Sequence, residues 1–138
     1  FEDTVPRLVR KFLKPGPQVI VNVTNDGWFK ESIAAAQHFA NARFRAIELR
    51  RPMIRCANTG VTAAITPTGD TKILTGPDGS HFTRGSMLAD VAIPLKPGFS
   101  LYGLIGDWGV ISAGVAGFAG CLIVRKRGKK RPDLGTGV

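Results

Sequence analysis

The chain is poor in the residues that most often carry unaided chemistry: 138 residues hold two cysteines, two histidines, two tryptophans and one tyrosine. Two histidines and two cysteines, none at close ligand spacing, leave little for a metal site, and none is expected. Cys56 sits in an apolar strand and Cys121 within a long apolar run, so they are not expected to share a disulfide. There is no internal repeat. The first residues show no initiator methionine and neither the charged nor the apolar part of a signal peptide, so the chain reads as a piece of a longer protein. Acidic residues are few, 10 against 19 basic, for a net charge of +9. That balance would suit nucleic acid, but six of the basic residues lie in the tail 125–138, which lacks aromatics for stacking bases. No nucleic-acid partner is expected.

What is present divides the chain. Sixteen uncharged, mostly apolar residues run from Gly109 to Val124, preceded by Trp108 and followed by Arg125-Lys126-Arg127. As a helix they rise about 24 Å against roughly 30 Å of hydrocarbon, and Trp108 with a snorkelling Arg125 would extend the reach. A transmembrane helix is expected over 109–124, with a basic cytoplasmic tail over 125–138 and the preceding residues on the outer face. Small residues in the span permit close helix contact in lipid.

Before the span the pattern is α/β. Thr4-Val5-Pro6 reads as a helix start, with Thr4 near the cap and Leu8, Val9, Phe12 and Leu13 as its apolar side. Val19 to Thr24 reads as a buried strand ending on Asn25-Asp26-Gly27. From Glu31 the period is helical, with Ile33, Gln37, Ala40, Phe44 and Ile47 as the expected stripe, ending at Arg51-Pro52. Strands are expected over Met53–Ala57, Val61–Thr66, Lys72–Leu74 and Met87–Ile93. A juxtamembrane linker is expected over 99–108.

Cys56 reads as a buried structural cysteine, because no histidine neighbours it in sequence to activate the thiol. His38 reads as a helix residue bonded to a nearby loop. Arg43, Arg45, Glu48, Arg50 and Arg51 read as a solvated helix end. The turn Asn25-Asp26-Gly27-Trp28-Phe29 is different, since an amide, a carboxylate and two aromatics at a strand end imply a ligand or a partner loop.

The ordered series Asn25-Asp26-Gly27-Trp28-Phe29, Gln37-His38, Ala42 to Glu48, Arg51-Pro52, Arg55, Asn58-Thr59-Gly60, Tyr102 and Gly106-Asp107-Trp108 resembles the carboxy-terminal part of the apolipoprotein N-acyltransferases. These are membrane-embedded members of the nitrilase (carbon-nitrogen hydrolase) superfamily. The resemblance implies a partial nitrilase-type α-β-β-α sandwich over 1–98 followed by the single span. It also implies a cysteine thioester route, with no cofactor, from a phospholipid donor to the diacylglyceryl-cysteine of an apolipoprotein. The Cys-aromatic-Glu motif of the family ends on Phe1-Glu2. The implied nucleophile therefore precedes Phe1, the triad Glu and Lys lie further upstream, and this chain alone is expected to be inactive. Phe1 would supply a backbone N–H beside the nucleophile and Glu2 the acidic group of the motif. Asn25 and Asp26 would shape the pocket by touching substrate or bracing the loop, and Trp28 and Phe29 would cover the lipid entrance. Lys30 departs from the small residue expected there. The implied location is the bacterial inner membrane. A nitrilase-type amidase and a non-catalytic single-span adaptor are the competing readings; neither accounts for both the span and the ordered motifs.

Overall fold

A short β-branched segment and a second one of mixed composition lie side by side to start the sheet. The computed structural model describes residues 2–29, 32–98 and 100–128. Strand β1 (Ile20–Thr24) runs parallel to β2 (Met53–Ala57), pairing Ile20 with Met53 and Thr24 with Ala57. A parallel pair needs a crossover, and the 17-residue helix α2 (Ile33–Leu49) supplies it. From β2 the chain meanders antiparallel through β3 (Ala63–Ile65) and β4 (Thr71–Ile73), giving the order β1-β2-β3-β4. A 3-10 turn, Glu2–Thr4, and helix α1 (Pro6–Arg10) precede β1.

The α2 helix stops where expected, by a device the sequence did not advertise. Arg50 adopts the left-handed conformation, φ 51°, and the N–H groups of Arg50 and Arg51 return to the carbonyls of Ile47 and Ala46 at 3.3 and 3.2 Å. This is a Schellman closure with a non-glycine residue at its left-handed position.

The buried side of α2 is not the expected stripe. Ile33 and Phe44 are exposed, while Ala35, His38, Ala42, Arg45, Ala46 and Leu49 are buried. Ala42 and Ala46 pack with Met53, Val61, Ala63 and Ile65 as the core, flanked by Ile20, Phe39 and Ile73. Small side chains on the inner face leave room for the long, wholly buried side chain of Arg55, while Ile33 and Phe44 point outward.

Further expectations need correction. Cys56 is exposed, because β2 alternates and directs Met53 and Arg55 inward and Ile54 and Cys56 outward. Arg45 and Arg51 are buried rather than solvated: Arg45 pairs with Glu48 at 3.0 Å, and Arg51 donates to the carbonyls of Leu49 and Lys14 at 3.4 and 3.5 Å. The α1 cap is Val5, next to Thr4, and makes no side-chain bond. Residues 87–93 form no strand; beyond β4 the ladder is not continued, and Lys72 Nζ donates to the Leu88 carbonyl at 2.9 Å instead.

The chain divides into two compact units, Phe1–Leu104 and Ile105–Val138. Along the chain the short helix α3 (Leu101–Ile105) falls at the boundary, and the second unit is built on α4 (Trp108–Gly128). Its segment Trp108–Lys126 is 19 residues with a mean hydropathy of 1.6 and none of its apolar window buried, a rise of about 28 Å. It is long and apolar enough to cross a membrane. The expectations for Phe1, Lys30 and residues 129–138 of the basic tail lie outside the described residues.

Candidate functional site

Parallel pairing carries the C-terminal ends of β1 and β2 to the same edge, and the loops leaving them meet there. Asn58 N–H donates to the Thr24 carbonyl at 3.3 Å, one step beyond the ladder. After β1, the Asn25 side chain accepts from Gly27 N–H at 3.0 Å, closing an Asx turn into the 3-10 segment Gly27–Phe29. After β2, Thr62 Oγ1 accepts from Ala57 N–H at 3.1 Å and closes the Asn58–Gly60 turn. Gly60 has φ 121°, and a Cβ built there would stand 2.6 Å from Asp26 Oδ2. Glycine is therefore required twice over, by backbone and by space.

Under these loops lies a group of buried ionisable side chains. Arg55 is wholly buried, and Asp26, Asp3 and His38 are 0, 1 and 4% exposed. Arg55 donates from Nη1 to Asp3 Oδ2 at 2.7 Å and from Nη2 to Asp26 Oδ2 at 2.9 Å. His38 faces the remaining carboxylate oxygens, with Nε2 2.7 Å from Asp3 Oδ1 and Nδ1 2.8 Å from Asp26 Oδ1. Arg55 Nε donates to the Val61 carbonyl at 3.2 Å, and Thr24 Oγ1 donates to Asp26 Oδ1 at 3.2 Å. Four side chains from the first turn, the β1 loop, α2 and β2 thus close a ring.

A cleft of about 610 Å³ opens beside the loops, lined by Gly27, Asn58, Thr59, Gly60, Phe82, Thr83 and Arg84. Its wall joins backbone-rich turns to an aromatic ring and a guanidinium. Among the described residues, no three His, Cys, Asp or Glu side chains converge on a metal position; the carboxylates beside His38 are engaged by Arg55.

The expected site residues separate in the fold. Glu2 is exposed on the first turn, next to buried Asp3. Asn25 is exposed and spends its side-chain oxygen on the turn. Asp26 is sealed in the ring and reaches no solvent. Trp28 is 87% exposed. Phe29 ends its 3-10 segment; its side chain, like Phe1, lies outside the described residues. His38 does bond the neighbouring loop, through Asp26, and also reaches Asp3. Sequence reasoning gave no role to Asp3 or Arg55 and left Phe82 to Arg84 unmentioned. Strand alternation from Met53 would have placed Arg55 on the buried face, where a guanidinium demands carboxylates.

The profile described as carbon-nitrogen hydrolase matches residues 1–94. The chain belongs to the carbon-nitrogen hydrolase family. Among curated relatives, apolipoprotein N-acyltransferase 1 of Treponema denticola is 32% identical over 97% of this chain and 24% of its own length. Apolipoprotein N-acyltransferase of Thermotoga maritima is 31% identical over 98% of this chain and 26% of its own. That of Bradyrhizobium diazoefficiens is 40% identical over 83% and 20%. The chain thus spans about a quarter of the length of these relatives, and within the carbon-nitrogen hydrolase family its likeness runs past residue 94 into the apolar helix.

Proposed function

We propose that this chain is the carboxy-terminal part of a membrane N-acyltransferase that moves a fatty acyl chain from a phospholipid, through a cysteine thioester, to the N-terminal diacylglyceryl-cysteine of apolipoproteins. The observation that carries the reading is the union, in one short chain, of a carbon-nitrogen hydrolase segment and an adjoining helix able to cross a membrane. An amidase acting on a soluble amide has no use for that helix. A donor and an acceptor that are both lipid-anchored do, because the helix holds the catalytic layer at the surface where they reside.

In this mechanism the nucleophile stands immediately before Phe1, and the triad Glu and Lys lie further upstream. The thiolate attacks the phospholipid ester carbonyl, the lysophospholipid alkoxide leaves and takes up a proton, and the acyl chain stays on sulfur. The acceptor's free α-amine then attacks the thioester, loses its proton to the general base and releases the thiol. The Phe1 N–H helps hold the oxyanion in each step. Exposed Glu2 lies within reach of the amine, and exposed Trp28, with Phe29, covers the lipid entrance. The Asx turn of Asn25 and the burial of Asp26 support a bracing role for both. The catalytic layer faces the outer side of the bacterial inner membrane and the tail faces the cytoplasm.

The test uses the full-length protein in membranes, given a phospholipid with a labelled acyl chain and a diacylglyceryl lipopeptide. Label is expected first on protein, in a hydroxylamine-sensitive bond, and then on the peptide amine. Substituting the residue before Phe1 with alanine should abolish both. Release of the protein by alkaline carbonate, or labelling of a residue other than the one before Phe1, would overturn the reading.

A further inference from the structure

The ring Asp3–His38–Asp26–Arg55 has more polar order than stability requires. Buried ion sets are often no more stabilising than well-packed apolar residues of the same volume. Here the arrangement also fixes directions. Each carboxylate gives one oxygen to the imidazole and the other to the guanidinium, at 2.7 to 2.9 Å, so neither can rotate without losing two bonds.

The imidazole is held from three sides. Its Nε2 faces Asp3 Oδ1 at 2.7 Å, while its Nδ1 faces Asp26 Oδ1 at 2.8 Å and lies 3.2 Å from Arg55 Nη2. A guanidinium and two carboxylates buried together offset one another, and removing one of them leaves a buried group short of its partner.

The ring joins places that matter to the reading above. Asp3 directly follows Glu2. Asp26 lies within the turn that carries Trp28, and Gly60, on the cleft wall, rests against its Oδ2. We infer that this ring is a positioning device, which sets the Glu2 segment against the Asn25–Phe29 loop and the cleft wall so that acyl transfer proceeds at full rate only when the ring is closed. None of the four residues touches substrate; they act through Glu2, the loop and the residue before Phe1. The inference rests on the acyltransferase reading.

The experiment follows thioester formation in a single turnover of the full-length enzyme in detergent with a phospholipid donor. Amplitude counts competent molecules, and the rate constant reports geometry. Asp3→Asn keeps the shape of the side chain and replaces the anionic acceptor of Arg55 and His38 with a neutral amide. It should slow acylation by about tenfold to a hundredfold, the scale of an ångström-sized misplacement, with amplitude within about twofold of the parent. Thr24→Val removes one hydroxyl bond to Asp26, leaves the ring charges intact and should slow acylation by about threefold, the loss of one modest hydrogen bond. A fall in amplitude with an unchanged rate constant would show the ring to be scaffolding alone and overturn the inference. Where Asp3→Asn does not accumulate, an unchanged rate constant in Thr24→Val does the same. A parent enzyme that forms no thioester would overturn the acyltransferase reading itself, together with the role given to Glu2.

Discussion

Helices α2 and α4 are both rich in small residues, alanine in the first and glycine with alanine in the second, and both invert the usual relation between polarity and burial. On α2 the buried side carries His38 and Arg45 while Ile33 and Phe44 face outward; on α4 the apolar side chains are exposed all round. Either inversion would be costly in a self-contained soluble domain. For α2 the compensation lies within the chain, in Asp3, Asp26, Arg55 and Glu48. For α4 none of the apolar window is buried, and the segment is long and apolar enough to cross a membrane. Polar groups inside therefore call for partners within the fold, and apolar groups outside call for apolar surroundings.

The strongest test of this contrast removes the compensation on the α2 side. Arg55→Met fills a similar space but leaves Asp3 and Asp26 buried without their guanidinium, and should cost about 3–5 kcal/mol. Denaturant unfolding of the full-length protein in detergent would show the loss, and partial recovery is expected in the triple variant Arg55→Met, Asp3→Asn, Asp26→Asn. The matching test on α4 is Val115→Arg, near the middle of the apolar segment. A charge there opposes insertion by about 2.5–3.5 kcal/mol, and the membrane-bound fraction after carbonate washing should drop. Unchanged membrane retention would mean that α4 is not the anchor.

Size sharpens the contrast next. Ala42 and Ala46 are wholly buried against the core, so Ala46→Leu should cost about 1–3 kcal/mol through overpacking. Ala116 on α4 is exposed, and Ala116→Leu should leave both stability and membrane retention unchanged. A shift in Ala116→Leu would reveal a helix partner in the membrane. On the cleft wall, Gly60→Ala combines a positive φ with a 2.6 Å approach to Asp26 Oδ2, and a loss on the order of 1–3 kcal/mol is expected.

The order of elements from α1 through β4 was legible because hydrophobic period and turn residues are local signals. The apolar helix was legible too, since an uninterrupted run needs no tertiary context to be seen. The buried stripe of α2 was not. Its residues are alanines beside a histidine and an arginine, which no hydrophobic pattern selects; Ile33 and Phe44 drew the stripe to the opposite face. The burial of Arg55 and the exposure of Cys56 follow from one alternation that apolar character alone concealed. Asp26 was visible as a candidate through its turn, yet its partners come from positions 3, 38 and 55, and only the fold brings them together. The Met87–Ile93 segment has strand composition but lacks a ladder partner, so its composition misled.

The smallest expected effect concerns an acid that, unlike Asp26, is solvated. Asp70 closes the β3–β4 turn that leans on α2, where the Gly69 carbonyl accepts from Arg43 Nε at 2.6 Å. Its carboxylate accepts from Thr68 Oγ1 at 2.7 Å and from Thr66 Oγ1 at 3.2 Å. These two hydroxyls, with Thr68 the stronger influence, hold its carboxyl below the ordinary value of 3.8. A carboxyl whose folded value is depressed binds protons more readily when unfolded, so its contribution is present above the unfolded value and fades as pH falls through the folded one. The stability difference between the parent and Asp70→Asn should therefore be small and constant at neutral pH, and should shrink only below about pH 4. A difference that instead changed between pH 5 and 8 would assign the turn's contribution to another group.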